Sequence, residues 1–287
     1  MTCPVCGAAP SPGRSWWVDG YELTRCAACD LVYRRTLPNS AELVDLYAAQ
    51  YFRDGGSETD GYADYVADAE LHRSLAQRRL ERLEAALGRR GRLLDVGAAA
   101  GFFVAEANAR GWQACGVDIA PEMIRYAAET LRVRVSAGRL QDVEGETFDA
   151  VTMWDYIEHS VDPAGDVDHA RRMLSTGGIL ALSTGDIESL AARVTRSRWH
   201  LLTPRHHNFF FSRATITMLL EAHGLEVLDV SRPGARYSVS HLAYKLQRLL
   251  PGKVLGGAVE RVAGSRLGGM AVPVNLFDIV TVTARKA

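Results

Sequence analysis

Short apolar runs alternate with helical patterns from about residue 92 to the end of the chain. Helices fit between these runs at 101–110, 121–130, 163–174 and 212–223, and several begin at proline or end at glycine. This alternation predicts a parallel sheet that helices cover on both faces. The runs that we interpret as strands are 93–96, 113–117, 133–135, 150–153, 179–183, 225–230 and 274–284.

Three further stretches have the periodicity of amphipathic helices. Leucines recur at helical intervals across 62–87, and 41–47 follows a helix cap at Pro38-Asn39-Ser40. The segment 241–250 has basic residues on its polar side, so a lid, a membrane-surface contact, a dimer face and a plain core-packed helix all stay open. We therefore expect a cysteine-bearing module at 1–38, a helical segment at 39–90 and a main α/β domain at 91–287.

Length and composition favour a globular chain with a sizeable core. The 287 residues are 47% hydrophobic, and no apolar run approaches the roughly 18 residues that a membrane-spanning helix needs. The start, Met1-Thr2-Cys3-Pro4, lacks the basic and apolar regions of a signal peptide, so we expect the protein in the cytosol. A monomer and a homodimer both stay open.

The charge distribution bears on the kind of partner. A net charge of -1 argues against nucleic acid, because nucleic-acid binders usually carry a basic excess that neutralises phosphates. No acid occurs between Glu188 and Glu221, where five arginines do, and from Ser231 to Met270 seven Lys or Arg residues accompany one acid. These stretches are either solvated surface or a place for an anionic group, such as a phosphate on a small-molecule substrate.

Four cysteines near the start of the chain form two pairs. Cys3-x2-Cys6 and Cys26-x2-Cys29 are nineteen residues apart, and two such pairs can close a tetrahedral thiolate site around a divalent metal. In a reducing cytosol, zinc is favoured over disulfides, with redox dithiols or unligated thiols as alternatives. Four protein ligands leave no open coordination position, so we expect a structural zinc. The fifth cysteine, Cys115, lies in an apolar run and is interpreted as a core residue.

The first strand of the main domain ends in an acid and continues into small residues. Asp95 precedes Gly97, Ala99 and Gly101, and such residues let a ligand approach the backbone and the unpaired amides of the following helix. The second strand ends at Asp118, 23 residues after Asp95, where a carboxylate can accept both hydroxyls of a ribose. The two signals together predict a nucleoside-binding edge.

This segment resembles the first motif of class I S-adenosylmethionine-dependent methyltransferases, Asp-x-Gly-x-Gly-x-Gly, with Ala99 at the middle glycine. The resemblance implies a Rossmann-like fold with a seven-stranded sheet and S-adenosylmethionine as cofactor; Ala99 disfavours NAD, whose pyrophosphate needs a closer approach. It implies that Asp95, Gly97 and Gly101 line the methionine end of the donor, that Ala99 also contacts the donor, and that Asp118 binds its ribose. The further donor contacts that it implies are Ile119, Leu140 and Gln141 around the adenine, with Asp142 as an alternative to Gln141, and Trp154.

The stretch 148–163 resembles the family's fourth-strand motif, in which Glu-His precedes Asp-Pro. Ligands lie beyond the carboxyl ends of parallel strands, so His159 is a candidate base for a hydroxyl that attacks the methyl group. Alternatively, Glu158 and His159 only cap and orient the loop. Asp155-x2-Glu158-His159 is also similar to the Glu-x2-Glu-His arrangement by which some ubiquinone-pathway and small-RNA methyltransferases hold a divalent metal, so these three side chains are candidate catalytic residues with or without metal.

The stretch 204–212 resembles the segment that follows the fifth strand in a large bacterial branch of this superfamily. It would form a wall of the acceptor pocket, which makes His207 a second candidate for the base or for substrate positioning. The alternative is that His207 bonds to the backbone while the neighbouring phenylalanines pack in the core.

The resemblance as a whole implies a methyltransferase that acts on a small molecule, such as a sugar, a glycan precursor or a secondary metabolite, at oxygen in preference to carbon or nitrogen. One alternative is an RNA methyltransferase that holds RNA with its zinc module, although the near-neutral charge counts against it. Another is a non-catalytic donor-binding protein whose cysteine module recruits a partner.

Overall fold

The alternating pattern folds as an α/β domain, with a small antiparallel sheet formed mainly by the start of the chain. A computed structural model describes residues 2–9, 14–39, 69–233, 235–239 and 271–287, and the single positions 42, 66, 261 and 265. The strands are, in chain order, β1 (Ser15–Val18), β2 (Tyr21–Arg25), β3 (Val32–Arg34), β4 (Arg92–Val96), β5 (Gln113–Asp118), β6 (Val135–Ala137), β7 (Phe148–Trp154), β8 (Leu174–Gly185), β9 (Phe209–Phe210), β10 (Leu225–Ser231), β11 (Ala235–Ser238), β12 (Ala271–Val274) and β13 (Ile279–Lys286). The α-helices are α1 (Ala69–Leu87), α2 (Phe102–Ala109), α3 (Pro121–Tyr126), α4 (Pro163–Met173), α5 (Leu190–Thr195) and α6 (Arg213–Ala222).

The main sheet has seven strands in the order β10-β13-β8-β7-β4-β5-β6. The neighbours from β6 across to β8 pair in parallel, whereas β13 runs antiparallel to both β8 and β10. β5 and β6 follow β4 on one side of the sheet, whereas β8 follows β7 on the other side, so the strand order reverses between β4 and β7. In such sheets a ligand binds beyond the carboxyl ends of the strands where the order reverses. The predicted Rossmann-like sheet of seven strands is confirmed.

Successive residues of the central strands enter two separate cores. Leu93 and Ile179 pack in one cluster with residues of α1 and α2, whereas Leu94 and Leu180 pack in another with residues of α4 and α6. All four side chains are almost fully buried. Burial on both faces explains why these strands appear in the sequence as continuous apolar runs and not as alternating ones.

Two strand predictions are wrong in position. The strand expected at 133–135 lies at Val135–Ala137, because Arg132 ends the preceding helical segment in left-handed backbone with φ 56°. The strand expected at 274–284 is interrupted: β12 ends at Val274 and β13 begins at Ile279. Between them Asn275 accepts a hydrogen bond from the backbone N–H of Phe277, at 2.8 Å, and Phe277 has a φ of 55°, so the chain turns there.

The other predicted elements agree more closely. The helix expected over 62–87 is present as α1 from Ala69, and most of 62–68 lies outside the described residues. The helices expected at 41–47 and 241–250 also fall outside the described residues, apart from Glu42. In the part of the chain that the structure describes, no helix combines the length and the apolar character needed to cross a membrane.

The cysteine-bearing module is joined to the main domain through a shared sheet. β1, β2 and β3 pair antiparallel, and β3 pairs with β9, which belongs to the segment before α6. Leu31 and Tyr33 pack in the same cluster as Phe209. The apolar patterns of these short strands did not predict either the module's sheet or its union with β9.

Candidate active site

The loop between β4 and α2 has three small residues in left-handed backbone. The φ angles of Gly97, Ala99 and Gly101 are 71°, 45° and 79°. A Cβ atom on Gly97 would lie 2.9 Å from Cδ2 of Tyr156, and a Cβ atom on Gly101 would lie 2.9 Å from Cγ2 of Val133. Glycine at these two positions therefore allows both the positive φ angle and the close packing of the neighbouring side chains. Ala99 also has a positive φ angle although it carries a Cβ atom.

Asp118 connects this loop to the end of β5. Its Oδ2 accepts the backbone N–H of Ala99 and its Oδ1 accepts that of Ala120, both at 2.8 Å. Burial raises the pKa of the Asp118 carboxyl, and the hydrogen bonds from the backbone oppose this effect. Each carboxylate oxygen can accept a further hydrogen bond, so the loop contacts leave capacity for the predicted ribose contact. The side chain of Ile119 is 38% exposed beside it.

Asp95 is buried where β4 ends. Its Oδ1 accepts a hydrogen bond from the hydroxyl of Thr152 at 2.6 Å, and only 3% of the residue is exposed. Burial raises the pKa of Asp95 to about 7, although the Thr152 hydroxyl and the positive charge of Arg79 both favour the ionised form. A cation placed beside Asp95 would therefore convert a partly protonated carboxyl into a carboxylate.

The other predicted donor residues have different surroundings in the structure. Leu140 is fully buried in the core, and the amide of Gln141 donates to the carboxylate of Asp166. Trp154 ends β7 under the guanidinium of Arg79, whose Cζ lies 4.4 Å from the centre of the indole ring. The indole N–H of Trp154 is buried and has no hydrogen-bond acceptor among the described residues. The donor contacts of these residues stay predictions.

Asp155 pairs with an arginine that sequence analysis did not identify. The Nη2 atom of Arg79, in α1, donates to Oδ2 of Asp155 at 3.0 Å and to Oγ of Ser183 at 2.9 Å. The Ser183 hydroxyl in turn donates to Oδ1 of Asp155 at 2.8 Å. Helical periodicity places Arg79 only on an amphipathic helix, so its contact with a residue 76 positions later could not be inferred from it.

Glu158, His159 and His207 come together beyond the end of β7. One potential ligand atom from each of the three lies within 4.8 Å of the others. The Nδ1 atom of His159 lies 2.9 Å from the carbonyl oxygen of His206, and that of His207 lies 2.9 Å from the carbonyl oxygen of Leu201. A carbonyl oxygen only accepts, so both Nδ1 atoms carry a proton, and in the neutral form of either ring the lone pair is on Nε2.

Burial sets the charge of this cluster. Burial, followed by the charge of His207, lowers the pKa of His159 well below its usual value, so the imidazole is neutral at neutral pH. Burial, followed by the negative charge of Asp155, raises the pKa of Glu158 to about 8. Glu158 is 5% exposed, and its Oε2 atom has no hydrogen-bond partner in the described part of the chain. Near neutral pH His159 is therefore uncharged and Glu158 is mostly protonated, so a cation that bound here would displace the Glu158 proton.

The two cysteine pairs lie in turns of identical hydrogen bonding. The backbone N–H of Gly7 donates to the carbonyl of Cys3 at 2.9 Å, and that of Asp30 donates to the carbonyl of Cys26 at 3.0 Å. Gly7 and Asp30 have φ angles of 67° and 65°. Two matching turns that each present two thiols are what a four-thiolate metal site requires.

The four sulfur atoms are also grouped as such a site requires. The Sγ atoms of Cys3 and Cys29 are 3.5 Å apart, those of Cys6 and Cys26 are 3.6 Å apart, and all four lie within 4.8 Å of one another. Tetrahedral zinc with Zn–S bonds of about 2.3 Å separates its sulfur ligands by about 3.8 Å. The thiols therefore fit zinc. Cys115, in β5, is partly buried, packs against the core and is not one of the four grouped thiols.

Known proteins share this architecture. Residues 67–230 match a family model described as a methyltransferase domain. Over 196 residues the chain is 31% identical to a ubiquinone biosynthesis O-methyltransferase of Xanthomonas oryzae pv. oryzae, covering 59% of this chain and 82% of that protein.

Solved structures show the same fold at lower identity. Magnesium protoporphyrin IX methyltransferase of Synechocystis, solved with bound S-adenosylhomocysteine, aligns with a TM-score of 0.55 and 15% identity over 87% of this chain and 100% of that one. The 1,6-didemethyltoxoflavin-N1-methyltransferase of Burkholderia thailandensis, with substrate and S-adenosylhomocysteine, aligns with a TM-score of 0.53 and 18% identity over 96% of this chain and 100% of that one. The family model matches more than half of the chain, so the protein belongs to the methyltransferase domain family.

Proposed function

We propose that this enzyme transfers a methyl group to a hydroxyl oxygen of a small molecule, such as a sugar, a glycan precursor or another secondary metabolite. The observation that carries the proposal is the cluster of Glu158, His159 and His207 beyond the end of β7. Tyr156, two residues before Glu158, contacts the loop at Gly97, so the cluster adjoins the predicted donor site. The relative named for O-methylation in ubiquinone biosynthesis supports oxygen as the acceptor atom.

The donor site is proposed at the loop after β4. When bound, S-adenosylmethionine supplies a methyl group on a positively charged sulfur. Asp118 would accept the ribose hydroxyls with the capacity that Ala99 and Ala120 leave on its oxygens. Asp95 would complement the positive charge of the donor's methionine end, and the backbone at Gly97 would allow close approach.

His159 is proposed as the general base. Its neutral imidazole is held by the Nδ1 contact with the carbonyl of His206, which leaves the lone pair on Nε2. As the acceptor oxygen bonds to the methyl carbon and the carbon–sulfur bond breaks, Nε2 takes the hydroxyl proton and S-adenosylhomocysteine leaves. His207, edge-on to His159 with ring centres 4.7 Å apart, would position the acceptor.

The test follows release of S-adenosylhomocysteine from the purified chain with a panel of phenols, sugars and sugar phosphates. We expect His159→Ala to lower kcat by about a hundredfold or more, with unchanged affinity for S-adenosylhomocysteine. His223→Ala, at the end of α6, is the matched control and should keep the wild-type rate. Turnover that survives both His159→Ala and His207→Ala at the wild-type rate contradicts the proposal.

A divalent metal at the same cluster is a second candidate role. Glu158, His159 and His207 supply one carboxylate and two imidazoles, whereas Asp155 of the predicted set is engaged by Arg79. Two imidazoles and one carboxylate suit Mn²⁺ or Zn²⁺ better than Mg²⁺, which prefers oxygen ligands, and either ion would polarise the acceptor hydroxyl. Titration with Mn²⁺ by calorimetry distinguishes the two roles: binding that Glu158→Gln abolishes favours the metal, and no heat favours the base alone.

We also propose a structural zinc at Cys3, Cys6, Cys26 and Cys29. The proposal is supported by the grouping of the sulfur atoms and by the two matching turns. Because all four ligands come from the chain, this zinc would take no part in methyl transfer and would stabilise the module.

A further inference from the structure

Asn208 lies between the cysteine-bearing module and the acceptor cluster, which consists of Glu158, His159 and His207. Glu158 and His159 belong to the acceptor loop, residues 155–162 between β7 and α4. Asn208 directly follows His207, and it is 2% exposed. Its side-chain Nδ2 donates to the carbonyl oxygens of His159, at 2.9 Å, and of Ser160, at 3.0 Å. Its backbone N–H donates to the carbonyl oxygen of Glu158 at 2.8 Å. One residue thus fixes the main chain of three consecutive positions, two of which belong to the cluster.

Arg34 sets the orientation of this amide. Its Nη1 donates to Oδ1 of Asn208 at 3.2 Å, and its backbone N–H donates to the Asn208 carbonyl at 2.8 Å. If the amide were turned over, its oxygen would face two carbonyl oxygens and would have no donor. Its NH₂ would face the Arg34 guanidinium and would have no acceptor. Arg34 therefore selects the one orientation in which Asn208 holds the acceptor loop.

Other residues of the cysteine-bearing module hold Arg34 in position. Arg34 ends β3, and its guanidinium lies 4.6 Å from the centre of the Tyr21 ring in β2. Leu31, directly before this strand, and Tyr33, in its middle, pack with Cys3 and other cysteines of the thiol cluster. The chain of contacts runs from the thiols through β3 to Asn208 and the acceptor loop without a gap.

We propose that the cysteine-bearing module is a positioning element of the active site, acting through Arg34 and Asn208 on the loop that carries Glu158 and His159. The inference rests on the proposed role of that cluster in methyl transfer. Neither residue is proposed to touch the substrate; both act by holding main-chain carbonyls.

Variants at position 34 give the sharpest test, because a neighbour provides a matched control. Arg35, also in the module, is largely exposed and its guanidinium bonds to Glu22 within the module at 3.0 Å. In the full-length protein we expect Arg34→Ala to speed amide hydrogen exchange in peptides covering 157–160 by roughly tenfold, with 95–101 unchanged. Arg34→Lys should restore most of the protection, and Arg35→Ala should leave it as in wild type.

Kinetics and donor affinity supply the second readout. We expect Arg34→Ala and Asn208→Ala to lower kcat roughly ten- to a hundredfold, because displacing a reacting group by about 1 Å has effects of this size, while affinity for S-adenosylhomocysteine stays within about twofold. Asn208→Asp keeps an acceptor for Arg34 but loses both donors to the loop, so it should resemble Asn208→Ala.

Two outcomes would overturn the proposal. One is that Arg34→Ala and Arg35→Ala give the same exchange pattern; the other is that donor affinity falls as far as kcat does, which indicates general loss of structure. If no acceptor is turned over, the exchange and affinity measurements still decide the positioning role, so its failure is distinguishable from failure of the proposed function.

Discussion

At the scale of single residues, the loop between β4 and α2, which is the proposed donor loop, depends on both backbone conformation and side-chain packing. The space beside Gly97 is filled by the ring of Tyr156, whereas Ala99 accommodates a Cβ at a φ of 45°. An L residue in left-handed backbone carries a strain of about 1–2 kcal/mol. The alanine that departs from the family motif is therefore sterically permitted but conformationally strained.

This difference predicts opposite effects of exchanging glycine and alanine. Ala99→Gly relieves the backbone strain of the folded protein but raises the conformational entropy of the unfolded chain. The free energy of unfolding should therefore stay unchanged or rise by up to about 1 kcal/mol. Gly97→Ala should lower it by more than Gly145→Ala does, because Gly145 has a similar φ of 70° and nothing within 4 Å of the added Cβ. Urea denaturation of the three variants checks the order; equal losses for Gly97→Ala and Gly145→Ala would contradict the role of Tyr156.

Asp95 predicts proton release on donor binding. Its pKa of about 7 lies above the usual aspartate value because of burial, and a cationic donor favours the carboxylate. At pH 6.5, binding of S-adenosylmethionine should release part of a proton, seen as a calorimetric enthalpy that varies with the ionisation enthalpy of the buffer. Asp95→Asn, which keeps an acceptor for Thr152, should remove this dependence.

The same shift has a consequence for stability. Between about pH 4 and pH 7 the folded protein holds the Asp95 proton more often than the unfolded chain does, so stability contributed by this group falls as pH rises through that window. The unfolding free energy of wild type should therefore decline from pH 5 to pH 7 relative to that of Asp95→Asn. A constant difference between the two proteins across this range would show that Asp95 is ionised throughout.

At the scale of elements, sequence periodicity predicted the limits of single helices but not the pairing of strands that are distant in the chain. Helices α2, α4 and α6 end within one residue or so of their expected limits, because glycine, proline and Ser212, whose side chain accepts the backbone N–H of Thr215, mark their ends. The pairing of β3 with β9 joins residues more than 170 positions apart and follows from packing around Phe209 and Tyr33. No periodicity within either short strand contains that information.

The cysteine-bearing module should depend on its metal. We expect one zinc per chain by elemental analysis, and we expect Cys29→Ser to lose it and to raise hydrogen exchange across β1 to β3, because a structural zinc site contributes its binding free energy to folding. Cys115→Ser, in β5, is the control and should retain the metal. Purified protein without zinc whose module is nonetheless protected from exchange would contradict the proposal.

At the scale of the whole molecule, three features converge at one edge of the sheet: the donor loop after β4, the acceptor cluster after β7, and the module joined through β9. Sequence motifs placed Asp95, Asp118, Glu158 and His159 at this edge because the carboxyl ends of parallel strands share it. Arg79 and Asn208 were missed, since each comes from a segment whose own pattern is that of a helix or an apolar run. The cytosolic location stays a prediction, and monomer and homodimer both stay open.

The carboxyl ends of β4 and β5 are proposed to bind the donor nucleoside through Asp118. Calorimetric titration of the purified chain with S-adenosylhomocysteine tests this binding most directly, with Asp118→Asn beside wild type and His159→Ala as the control. We expect one site per chain, affinity reduced at least about tenfold in Asp118→Asn by loss of charge-assisted hydrogen bonds, and an unchanged His159→Ala. No heat in wild type, or equal affinity in Asp118→Asn, would contradict the account.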